Sequence, residues 1–159
     1  MEESKQKIFK NFIKVIALLL CVFFFTLPLV KGTYSGSVGF WGIGATSSTE
    51  GLTATGFQIA TGTGELFKAA RESSNSVAFF LLVAPIILLA LAFTKSQFIV
   101  LGIVSIIGLV FKIDFFIVVD MTMRHFLSLT IFNWVEVALY IGLCVFSFYC
   151  AKLNKKSTI

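Results

Sequence analysis

Charge is what this sequence has least of. Only 13% of its 159 residues are charged, about half of the roughly 25% usual in soluble domains. Its hydrophobic share is 57%, more than a soluble fold of this length can hide, because small domains leave much of their chain exposed. Cysteine is scarce too. Cys21, Cys144 and Cys150 all lie within or at the ends of apolar blocks, so the polar part holds no disulfide framework. There is no CxxC pair and His125 is the only histidine, which excludes a recognisable zinc site. Acidic residues number 8 against 13 Lys and Arg. In a soluble protein that excess would point to nucleic acid, but here the basic residues flank apolar blocks, where they set membrane orientation. Neither a nucleic-acid partner nor a nucleotide is expected. Gly42-Ile43-Gly44 and the run from Gly62 to Lys68 resemble phosphate loops only superficially, since neither fits GxxxxGK[ST]. No cofactor is expected.

What is present is four greasy blocks, which predict an all-α membrane protein of one domain covering residues 1–159. A helix needs about 20 mostly apolar residues to cross roughly 30 Å of hydrocarbon. The spans are expected at about 8–30, 77–94, 98–119 and 131–151. The basic start of the first block also describes a signal peptide, but no small-x-small cleavage site follows it cleanly, so a retained helix is expected. Pro85 sits inside the second block and predicts a kink. Only Thr94-Lys95-Ser96-Gln97 separates the second and third blocks, so these form an antiparallel hairpin. Lys5, Lys7, Lys10, Lys14, Lys95, Lys152, Lys155 and Lys156 gather on one side. That bias predicts a multi-pass protein of the plasma (cytoplasmic) membrane with both termini in the cytoplasm.

Residues 31–76 form the long first extracytoplasmic loop. It is rich in glycine and threonine, poor in charge, and carries Tyr34, Val38, Phe40 and Ile43 among small residues. That pattern predicts a short β-ribbon or a loop packed on the helix ends. Phe40, Trp41, Phe57 and Gln58 are the candidate partner-binding residues of this loop, because interfacial aromatics either anchor to headgroups or contact a protein. Two stretches, Phe25-Thr26-Leu27-Pro28-Leu29-Val30 and Thr55-Gly56-Phe57-Gln58-Ile59-Ala60-Thr61-Gly62, resemble an uncharacterised family of small bacterial four-helix membrane proteins. With their spacing to the second span they cover about half of the chain. The resemblance implies four spans and a long first outer loop, and no activity. The cysteine many of those proteins carry after the first helix is missing here. The topology is also similar to that of claudins, whose paired loop cysteines this chain lacks.

Ionisable residues inside a bilayer are costly and find partners or serve function. Lys112 falls about 21 Å along the third span and Glu136 about 8 Å into the fourth, at 1.5 Å per residue. Both lie at a similar depth below the outer boundary, which predicts an interhelical Lys112–Glu136 pair with Asp114 as competing partner for the lysine. Asp120 and Arg124 have the spacing of a helix-surface pair. Gly102, Ser105 and Gly108 recur every three residues and allow close helix approach, which makes the third span the packed centre. The phenylalanines of the first span are expected to face lipid.

No nucleophile or metal constellation supports an enzyme. The expected function is that of a non-enzymatic integral membrane protein, an accessory subunit or immunity-type protein that acts through its outer loop on a protein partner or a second copy. The alternative is a small oligomeric transporter or channel that uses Lys112 and Glu136.

Overall fold

Each apolar block becomes a helix, and the glycine-threonine stretch after the first becomes β-structure. The computed structural model describes residues 2–33, 35–40, 43–48, 50–66, 76–94, 97–122 and 127–156. In chain order the elements are α1 (Glu2–Thr26), β1 (Pro28–Gly32), β2 (Ser35–Phe40), β3 (Ile43–Ser48), β4 (Thr53–Thr55), α2 (Gly56–Thr61), α3 (Ser76–Phe93), α4 (Phe98–Thr122), β5 (Leu127–Leu129) and α5 (Ile131–Lys156). Among the described residues three helical stretches, Gln6–Thr26, Phe98–Ile117 and Ile131–Lys155, are long and apolar enough to cross a membrane. Within α3 the corresponding apolar stretch is the shorter Phe80–Phe93.

The four long helices close a ring in which α1 packs on α3 and α5, and α4 packs on the same two. Along α1 the buried residues Ile13, Ala17, Leu20 and Phe24 recur at three- and four-residue steps, the spacing of one helix face. Phe12, Val15, Leu18, Val22 and Phe25 occupy the exposed face. Lipid-facing phenylalanines were expected on this helix, and Phe12 and Phe25 are exposed; Phe24 instead turns inward at 2% exposure. Expected as the packed centre, α4 has the largest buried share of the three long apolar stretches, yet among the four long helices it packs on two neighbours, like each of the others. Helix α3 runs through Pro85, which is buried.

The first span was expected to reach residue 30, but the helix stops at Thr26. Pro28 has no amide hydrogen to donate and disfavours helical geometry in the residue before it. The last turn closes with Leu27 N bonded to Phe23 O at 2.9 Å and Thr26 Oγ1 to Val22 O at 2.7 Å. Pro28 then opens β1, a position where a strand tolerates proline. For the third expected span, α4 runs beyond residue 119 to Thr122, and for the fourth, α5 runs beyond 151 to Lys156.

Three short strands cap one end of the helix ring in the order β4-β1-β5. The central β1 pairs antiparallel with both neighbours, with Lys31 opposite Thr53 on one side and Ser128 on the other. On the β4 side the register shifts between Pro28 and Val30. A second sheet, β2 with β3, is a two-stranded ribbon of six aligned pairs from Ser35↔Ser48 to Phe40↔Ile43. At the opposite end of the ring the start of α1 meets the end of α5, where Gln6 donates to Asn154.

Two apolar cores fill the ring. One, under the cap, joins Phe24, Leu29, Val30, Ile59, Leu81 and Phe115. The other, toward the termini, joins Ile13, Leu20, Leu88, Leu101, Tyr140 and Leu143.

Candidate functional site

Polar groups gather between these two cores. Lys112 of α4 donates to Glu136 Oε2 of α5, and the two side chains are 0% and 1% exposed. The spacing explains the meeting. On α4, Gly108 precedes Lys112 by one turn; on α5, Tyr140 follows Glu136 by one turn. A Cβ at Gly108 would collide with the Tyr140 ring. The missing side chain therefore lets the helices approach at the level where the pair must close. Gly102, a further turn and a half along, meets Phe148 in the same way. Between them Ser105 is buried and donates to Leu101 O at 2.8 Å, which keeps its hydroxyl inside its own helix.

Aromatic rings close the cap side of the pair. Lys112 Nζ stands 5.7 Å from the Phe115 centroid and 5.9 Å from that of Phe116. Both fall within the reach of cation–π attraction. Phe116 in turn meets Trp134 edge-on at 5.2 Å, and Trp134 is 61% exposed. One turn before Glu136, buried Asn133 donates through Nδ2 to the Leu29 carbonyl of β1. Glu136 Oε1 and Asn133 Oδ1 are buried acceptors without a hydrogen-bond partner among the described residues. Thr130 ties the same junction, bonding Leu29 O through its amide at 3.0 Å and Pro28 O through its hydroxyl.

Asp114 does not compete for the lysine. Two residues advance a helix by about 200°, so Asp114 sits across α4 from Lys112 and is exposed.

The loop residues separate into different settings. Gln58 belongs to the frame of α2. Its Oε1 accepts from Thr55 N at 2.9 Å while its own amide donates to Thr55 Oγ1 at 3.3 Å, a reciprocal capping box. Gly62 ends the helix in the left-handed conformation at φ 66°, and Gly56 leaves no room for a Cβ beside the Phe24 ring. The motif Thr55–Gly62 is thus a complete capped helix. Phe57 is 42% exposed and stacks on Phe25 at 5.7 Å, so it extends the exposed apolar face of α1. Phe40 ends β2 opposite Ile43. Trp41, Arg124 and His125 lie outside the described residues.

Sequence reasoning passed over Tyr140, Asn133, Thr130 and the Phe115–Phe116 pair. The helical steps Gly108–Lys112 and Glu136–Tyr140 were the signal that would have found the first of them.

Among the described residues no group of three or more His, Cys, Asp or Glu is placed to hold a metal ion. No family model, no curated protein and no solved structure matches this chain.

Proposed function

We propose that the chain is a non-enzymatic integral membrane protein whose four long helices all cross the plasma membrane, with both termini in the cytoplasm and the capped end outside, and that it engages a protein partner through its outer β-ribbon. The 18 residues of α3 extend about 27 Å at 1.5 Å per residue, close to the roughly 30 Å of hydrocarbon. Lysine-rich termini on the side opposite the cap support the orientation.

The observation that carries the interaction reading is the ribbon itself. Strands β2 and β3 pair with each other and with no other strand among the described residues. Residues 32–49 contain no charged residue and no proline. Exposed strand edges are normally guarded by lysine, proline or bulges against unwanted pairing. An unguarded ribbon is suited to strand addition by an incoming extended segment. An accessory subunit and an immunity-type protein both fit this reading. The transporter alternative has less support, because Lys112 and Glu136 are sealed from both faces by the two cores.

Replacing residues 35–48 with a short Gly-Ser turn tests the interaction. Proteins that copurify with the full chain in mild detergent should be lost with the deleted chain, while its melting temperature holds. Retention of the same set would overturn the reading. Orientation is tested separately: Ser47→Cys should react with an impermeant maleimide added outside intact cells, and labelling only after lysis would reverse it.

A further inference from the structure

We propose that the Asp114 face of α4 docks a transmembrane helix of another protein, one that carries a lysine or arginine just beneath the aromatic belt. Ile99, Ile103, Ile106, Val110, Ile113 and Ile117 form an exposed stripe along α4. At about 100° per residue, Asp114 falls at one edge of that stripe, between it and the exposed Ile107 and Val100. Among the α4 residues whose side chains are described, it is the one ionisable position that ring packing leaves uncovered. Among the described residues Asp114 has no hydrogen-bond or ion-pair partner, and the lysine two positions away is committed to Glu136 inside the ring.

Depth sharpens the inference. Asp114 lies about 24 Å along α4 from Phe98, at 1.5 Å per residue. It is half a turn short of Phe116, which touches exposed Trp134. Tryptophan in that setting marks the membrane–water boundary. An aspartate side chain is too short to reach past that boundary as lysine and arginine do. A carboxylate facing hydrocarbon is retained where an opposite charge meets it. A second copy of this chain is a poor occupant, because a symmetric contact sets Asp114 against Asp114, and Lys112 is enclosed. A foreign helix with a basic residue at the same level supplies the missing charge, and its apolar residues pack along the isoleucine stripe.

The inference rests on the membrane-spanning reading above and is independent of the β-ribbon. Its test uses the full chain, donor-labelled at its C-terminus, in proteoliposomes with acceptor-labelled synthetic polyleucine helices. The probes carry one lysine at the outer belt, one lysine at mid-depth, or none. Energy transfer should show the belt-lysine probe associating on the order of fivefold more strongly than the all-leucine probe. Asp114→Asn should erase that preference, and Asp114→Lys should shift it to a probe with glutamate at the belt. Equal association of all probes, or a preference unchanged in Asp114→Asn, would overturn the proposal. Removing residues 35–48 should leave the probe preference intact, which separates failure of this site from failure of the ribbon.

Discussion

Tyr140 lays its ring against the bare backbone of Gly108, one helical turn toward the termini from the Lys112–Glu136 pair. The contact fixes the α4–α5 separation at that level, and the two charges meet because of it. Substitution at the glycine therefore tests packing and electrostatics together.

Gly108→Ala should lower stability by about 1–3 kcal/mol, the usual cost of overpacking a tight contact. Gly102→Ala should cost less, because its neighbour Phe148 is 39% exposed and free to swing outward. Thermal unfolding of both variants in detergent gives the comparison. Equal losses would mean that the Tyr140 contact is not what sets the spacing.

Breaking the buried pair from one side should be more harmful than replacing it. Lys112→Met or Glu136→Gln alone leaves one enclosed charge or polar group unmatched, at about 3–5 kcal/mol. The double replacement Lys112→Met with Glu136→Leu should recover much of that loss, and exchanging the two residues should restore most of it. Double-mutant analysis of denaturant unfolding in micelles measures the coupling; additive losses would contradict a direct pair.

The capped helix α2 gives a third expectation. Gln58→Ala removes the acceptor for Thr55 N and should cost about 0.5–2 kcal/mol. Gly62→Ala places a Cβ on a backbone at φ 66° and should cost about 1 kcal/mol or more. Limited proteolysis near residues 56–66 should quicken in both, and unchanged cleavage of Gln58→Ala would show the box to be dispensable.

Asn133→Leu should loosen the cap without opening the ring. It deletes the bond to Leu29 O, and hydrogen exchange at Val30 and Lys31 should accelerate about fivefold or more if that bond contributes the usual 1 kcal/mol or more. Exchange within α3 should stay unchanged; faster exchange there as well would make Asn133 a determinant of the whole bundle.

Much of the helical part was readable, because lipid-scale apolar blocks and isolated charges are local signals. The depths of Lys112 and Glu136 followed from counting residues, and the Gly102–Ser105–Gly108 spacing marked the close contact. The three-stranded cap was not readable. Its strands run three to five residues, too short for a periodic pattern, and β5 pairs with β1 across about a hundred positions of sequence. Leu27–Val30 looked like the end of a helix because the residues are apolar, although Pro28 carried the signal to stop. Thr55 and Gln58 fit the capping-box spacing S/T-x-x-E/Q, yet the aromatic Phe57 between them drew the reading toward a partner surface. Asp114 was placed beside Lys112 by proximity in sequence, whereas helical rotation sends the two to opposite sides.

The central place of β1 has a consequence for biosynthesis. Its two partners are made at very different times: β4 emerges about twenty residues after it, β5 only after the next two long helices have left the ribosome. A nascent chain halted before residue 127 therefore holds a half-paired strand. The strand at 127–129 acts as a latch that closes last, so truncated products should be recognised by membrane quality-control proteases while the finished chain escapes them.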